Sequence, residues 1–174
     1  LHAIDKTKTA AGARLLATRL SAPLTDRALI EGRLDLVSWF LRSQTTGSDI
    51  ISALNGLPDI ERSLSRLASA RGGPRDLSAI ARAVSLGRDI SVRLSAQVSE
   101  AQGIDEHAPD IMMLIEDTQC AADLADSLMP ALADDMPLLA RDGNFIRAGY
   151  DSSLDQIRQL RDESRRLIAA LQAD

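Results

Sequence analysis

The chain has 174 residues, is 45% apolar and carries a formal net charge of −5. That apolar share excludes a disordered segment and suits one packed domain or two small helical lobes. With aromatics at only 2% the core must be aliphatic, and residues 100–140 hold 10 Asp and Glu without one Lys or Arg, which excludes a phosphate-gripping middle.

The first predicted helix covers Ala10 to Leu20 and ends at the turn Ser21-Ala22-Pro23, because Pro23 disfavours helical geometry at Ala22. Asp26 is the predicted N-cap of a second helix reaching Arg42, whose apolar positions Leu29, Ile30, Leu34, Val37 and Leu41 keep the helical period. Thr45 to Ser48 reads as a break, Asp49 to Leu54 as a short helix, and Asn55-Gly56-Leu57-Pro58 as its end. Asp59 then caps a helix with Ile60, Leu64 and Leu67 on one face. Gly72-Gly73-Pro74 separates that helix from the next, glycine past one C-terminus and proline at a first helical position. The following helix runs from Arg75 toward Ser99, with Leu77, Ile80, Ala81 and Val84 inward and Gly87 as a point of bending or loosening.

Residues 101–109 read as a loop, and Pro109-Asp110 opens a helix through Met129. Met136 to Tyr150 reads as an irregular connector or short hairpin, with a turn at Asp142-Gly143-Asn144 and an extended Phe145-Ile146-Arg147. Asp151 caps the last helix. There Ile157, Leu160, Leu167 and Leu171 approach a heptad pattern, with Arg158, Asp162 and Arg166 spaced one turn apart in support. Such a stripe asks for an antiparallel partner, which is not evident within residues 1–150.

Candidate chemistry is sparse. His2 and His107 lack ligand-spaced companions, so a metal site is not expected. Cys120, the single cysteine, reads as a small buried thiol in an acidic neighbourhood. The adjacent carboxylates Asp105–Glu106, Glu116–Asp117 and Asp134–Asp135 read as solvated pairs rather than acid–base dyads. Arg71-Gly72-Gly73-Pro74-Arg75 has the glycines of a phosphate loop but lacks Gly-x-x-x-x-Gly-Lys-Ser/Thr, and a helix-to-helix turn is the expectation. Lys6, Lys8, Arg14 and Arg19 read as a solvated or internally paired face. Trp39-Phe40 and Met112-Met113 read as core. No run nears the roughly 18 apolar residues of a membrane span, and Leu1 opens directly into a motif-bearing stretch, so no leader is expected. No enzyme site emerges.

Four blocks in fixed order carry more information than any of these. They are Thr7 to Leu16 followed by Pro23-Leu24-Thr25-Asp26; Leu57-Pro58-Asp59-Ile60-Glu61-Arg62; Gly73-Pro74-Arg75-Asp76-Leu77; and Asp142 through Tyr150 leading into Leu154-Asp155. Together they resemble the core (lever) domain of the MutS family of DNA mismatch-repair ATPases, over nearly the whole chain and least between Ala101 and Asp135. The residues carrying the likeness are Thr9, Gly12, Arg14, Pro23, Asp59, Glu61, Arg62, Pro74, Arg75, Asp76, Gly149, Tyr150, Leu154 and Asp155. Ala11 departs from a usual methionine and Asn144 from a usual glycine.

The resemblance implies an all-α fold: a helical core over 1–135, a connector over 136–150, and from 151 to 174 the start of a lever helix leading toward a DNA clamp. It implies a structural role that couples an ATPase to that clamp, and no catalytic, cofactor or metal residue among these 174. ATP and Mg would belong to the parent protein. So would mismatched double-stranded DNA and a homodimeric partner, in the bacterial cytosol and on the nucleoid when DNA-bound. Two other readings stay open: the core of a MutS paralogue outside mismatch repair, and a free-standing helical adaptor that docks a partner helix along the 154–171 stripe.

Overall fold

A computed structural model of the chain describes residues 3–100, 108–119 and 121–173. The expectations for His2, Asp105–Glu106, His107, Cys120 and most of the 101–109 loop fall outside the described residues. Among those described, the architecture is all-α: α1 (Ala10–Ser21), α2 (Arg27–Arg42), α3 (Gln44–Leu54), α4 (Ile60–Ala68), α5 (Pro74–Glu100), α6 (Ala108–Gln119), α7 (Ala122–Ala131) and α8 (Ser152–Ala173), with a 3-10 turn at Ala140–Asp142.

Side-chain caps hold the helix starts, at the predicted Asp26 and Asp59 and also at Thr9. Thr9 accepts the Gly12 N–H at 2.9 Å, Asp26 that of Leu29 at 3.2 Å, and Asp59 that of Arg62 at 3.3 Å. Each satisfies a donor that the first turn otherwise leaves open. Ser43 alone divides α2 from α3, so the break expected over Thr45–Ser48 is helical instead. Thr46 is drawn inside, where its hydroxyl donates to Gln97 Oε1 at 2.6 Å, and that tertiary bond outweighs a weak local propensity.

The long α5 is the spine. It packs on α3, α4, α6 and α7. The helix expected over Pro109–Met129 is two helices, because Ala121 leaves helical geometry at φ −130, ψ 25. The bend lets α6 lie against the second half of α5 and α7 against the first. Ser91 and Gln119 are hydrogen-bonded in the first contact, and Arg88 meets Asp126 at 2.6 Å in the second. Trp39, Ile50, Ile90, Leu94, Ile111 and Ile115 form one core cluster around α5's C-terminal half. Ile80, Ala81, Ala83, Ala125, Ala131 and Leu132 are buried toward its N-terminal half. Gly87 does not interrupt α5. A Cβ there would lie 2.9 Å from the Thr118 carbonyl oxygen, so its glycine sets how closely α6 approaches.

The core expectation holds for Trp39 and Phe40 and is reversed for Met112 and Met113. On α2 the buried side is Trp39 with Leu36 and Phe40, and Leu29, Leu34, Val37 and Leu41 lie outward, each more than half exposed. Met112 and Met113 are exposed too, since Ile111 and Ile115 take the inner face of α6. On α4 Ser63 is the buried centre, with Leu64 half exposed. The helical period was right in each case, but period alone leaves open which of two apolar faces meets the core.

The 136–150 stretch closes as an irregular loop on a single antiparallel bridge, Leu132 to Ile146. Ala133 N–H to Phe145 O at 3.0 Å and Arg147 N–H to Ala131 O at 2.8 Å flank it. Asn144 sits at φ 60, a left-handed conformation that asparagine tolerates better than other non-glycine residues.

Candidate functional site: the polar joints of the helical body

The residues of the four sequence blocks fall into three joints between elements. In the first, α1 presents Arg14 to the start of α4. Its guanidinium grips Asp59 with two bonds of 2.9 Å and reaches Glu61 at 2.6 Å. Asp59 thus caps α4 and anchors α1 at once. Its hydrogen bond from Arg14 holds the carboxyl below the usual 3.8, and the two carboxylates raise Arg14 in turn. Gly12 lies inside the first turn of α1 rather than in a tight loop. It leaves room for the Thr9 hydroxyl, which an added Cβ would meet at 3.0 Å. Pro23 follows the α1 C-cap Ala22, and Arg62 contributes its backbone N–H to the Asp59 cap.

The second joint is the α4–α5 turn. Asp76, nearly buried on the first turn of α5, takes the Arg66 guanidinium on one oxygen and the Gly73 N–H at 3.0 Å on the other. Burial pushes its carboxyl up, but Arg66, the Gly73 amide and Ser63 together bring it below 3.8. Pro74 opens α5, where a missing N–H costs nothing. Arg75 points the other way and donates from Nε to the Met136 carbonyl at 3.0 Å, tying the connector to the spine. A carboxylate therefore occupies the Gly73 amide that a bound phosphate would need, and Gly72 is closed off by Leu67, within 2.6 Å of where a Cβ would stand. The stretch is a helix-to-helix turn.

The third joint is the base of α8. Asp151 Oδ1 receives the N–H groups of Ser153 at 2.8 Å and Leu154 at 3.2 Å, bonds that lower its carboxyl. Asp155 takes the Gly149 N–H at 2.6 Å on one oxygen and Arg158 at 3.0 Å on the other. Arg158 also donates to the Ile146 carbonyl at 3.0 Å. Gly149 has φ +83, the left-handed geometry that turns the chain into the helix. Tyr150 is exposed and only its backbone takes part, donating to Arg147 O at 3.3 Å.

Sequence reasoning did not single out Arg66 or the Arg147–Asp134 pair, 2.9 Å apart, and it set Arg158 beside Asp162 rather than Asp155. For Arg158 a signal existed in its i,i+3 spacing from Asp155, but Asp162 offered a competing partner; in the structure Asp162 pairs with Arg161 instead. Asp134 is engaged by an arginine rather than forming a dyad with Asp135.

Two apolar surfaces stay open. Ile157, Leu160, Leu167 and Leu171 on α8 are each more than 60% exposed. Between α2 and α3 a groove of about 500 Å³ is lined by Val37, Phe40, Leu41, Ile50 and Ile51. No group of three His, Cys, Asp or Glu able to hold a metal occurs among the described residues, and no helix there is long and apolar enough to cross a membrane.

The sequence profile of MutS domain III matches residues 1–173. The chain belongs to the MutS domain III family. It is 46% identical to the DNA mismatch repair protein MutS of Bartonella henselae and 47% identical to that of Rhodopseudomonas palustris, each match covering 99% of this chain. The chain spans 18% of the length of either relative. A MutS domain III chain thus supplies the three joints and the two open apolar faces, and the residues that carried the likeness in sequence lie mainly in the joints.

Proposed function

We propose that these residues are the mechanical core of a mismatch-repair protein, linking nucleotide state elsewhere in that protein to the position of its DNA clamp. In this reading 1–135 is the body, 136–150 the connector and 151–174 the start of the lever. The observation that carries it is the form of α8. Among the described residues its less exposed positions lie in its first two turns, while its apolar stripe runs on exposed for a returning helix of the same protein to pair with. The name shared by the relatives favours mismatch repair over a paralogue's role.

Transmission of this kind needs stiff elements joined at defined points, which the joints at Asp59, Asp76 and Asp155 supply. ATP and Mg do not fit here: no phosphate loop is present in the sequence, and the one glycine turn resembling one is filled by Asp76 and Leu67. They belong with the ATPase of the longer protein, as mismatched duplex and the homodimer contact belong with its other domains. The test is a flexible Gly-Ser insertion after Tyr150 in a full-length MutS carrying these residues. ATP should then lose most of its effect on mismatched-duplex affinity while hydrolysis persists. An ATP response equal to that of the parent would refute the coupling role.

A further inference from the structure

We propose that Arg158 and Asp155 are the positioning residues of α8: one ion pair that clamps two connector backbone groups and so sets the direction in which the lever leaves the body. The functional meaning rests on the coupling reading above, but the joint itself is a property of this chain.

Three observations converge on it. Leu154, Asp155 and Arg158 are the only described α8 residues, through Gln172, that are not exposed. No other described helix packs extensively along α8. The pair also does more than bond within its own helix. Asp155 fixes the Gly149 amide at 2.6 Å, before the helix begins, and Arg158 fixes the Ile146 carbonyl at 3.0 Å, on the bridged strand-like segment. Ile146 pairs with Leu132, which is buried at the end of α7, and α7 packs on α5. A continuous path of short contacts therefore joins the lever to the spine through these two side chains.

Leverage makes the joint consequential. Some 15 residues beyond Arg158 extend about 22 Å, so a tilt of about 15° at the base moves the tip by about 6 Å. An ordinary i,i+3 ion pair would serve equally well with lysine. Two acceptors held in fixed directions need the planar fork of arginine, and an ammonium satisfies one while releasing the other.

The experiment measures spin-label distances in the full 174-residue chain, with Cys120→Ser and labels at Asp89→Cys on α5 and Arg165→Cys on α8. Circular dichroism and melting are recorded in parallel, and spin-dilute samples suppress pairing between α8 stripes. The expected result is one narrow distance distribution, broadened about twofold or more by Arg158→Ala and Arg158→Lys alike, with Asp155→Asn behaving the same way and helicity retained. A distribution unchanged by Arg158→Lys, or one already broad before substitution, overturns the clamp. Because the readout is the joint itself, failure here would leave the Gly-Ser insertion test standing, and failure of that test would leave the clamp standing.

Discussion

Gly87→Ala separates two physical accounts of the middle of α5. If glycine only loosened the helix, alanine would stabilise the chain by about 1 kcal/mol through propensity. The structure gives the opposite sign. The new Cβ would lie 2.9 Å from the Thr118 carbonyl oxygen, about 0.5 Å inside ordinary contact. That oxygen is backbone, in the last turn of α6 beside the Ser91–Gln119 hydrogen bond, so relief requires moving α6 away from α5. Overpacking of this kind costs about 2 kcal/mol, and the propensity gain offsets about half of it. A net loss of about 1 kcal/mol remains, with a melting midpoint about 2–4 °C lower. Urea unfolding followed by circular dichroism and by the single Trp39, buried in the adjoining cluster, reads the change directly. Gly47→Ala is the control, because its Cβ would stand at an ordinary 3.6 Å from Phe40 O inside α3, and it should stabilise by roughly 0.5 kcal/mol. A Gly87→Ala chain more stable than its parent would refute the close-approach account.

Other outcomes follow from the joints. Asp76→Ala removes a nearly buried carboxylate from Arg66 and the Gly73 amide, and should cost about 2–3 kcal/mol in urea unfolding; a loss below about 0.5 kcal/mol would discount the joint. Arg14→Ala should raise amide exchange throughout α1 while α5 and α6 keep their protection, and equal protection in α1 would show that another contact holds it. Leu160→Lys, on a stripe exposed among the described residues, should leave the melting midpoint unchanged and lower self-association at high concentration; a large destabilisation would mean α8 is packed after all. Asp59, Asp76 and Asp151 titrate below 3.8 when folded, so the unfolded chain takes up their protons first as the solution is acidified. Their contribution is complete above about pH 5 and is lost as pH falls through the folded values. Urea midpoints at pH 7, 5, 4 and 3 should be level down to about 5 and drop below 4, and Asp76→Asn should flatten that drop.

Much of the fold was legible because helix ends are written locally. Asp26, Asp59 and Asp151 each cap the helix that the spacing assigned to them, since a cap needs only a short polar side chain and the amides just after it. What stayed illegible depends on distant partners. Thr46 joins a helix because Gln97 lies opposite, and the bend at Ala121 serves two separate contacts with α5. The outward stripe of α2 matches the helical period as well as the inward one, so the period did not choose between them, and only Trp39-Phe40, read as core, marked the inward face. Arg14 and Asp59 were recognisable as motif residues, but their bonding across 45 positions emerged only with the fold.

The joints also divide how the molecule answers its solvent. The body around α5 is held by apolar burial, which an excluded salt such as sulfate strengthens. By contrast α1 depends on the half-exposed Arg14 ion pairs, and α8 on one partly exposed pair, with little apolar cover. Screening weakens such contacts. Raising ionic strength therefore tightens the middle of the chain while loosening its two ends, and one variable moves two parts of a single domain in opposite senses.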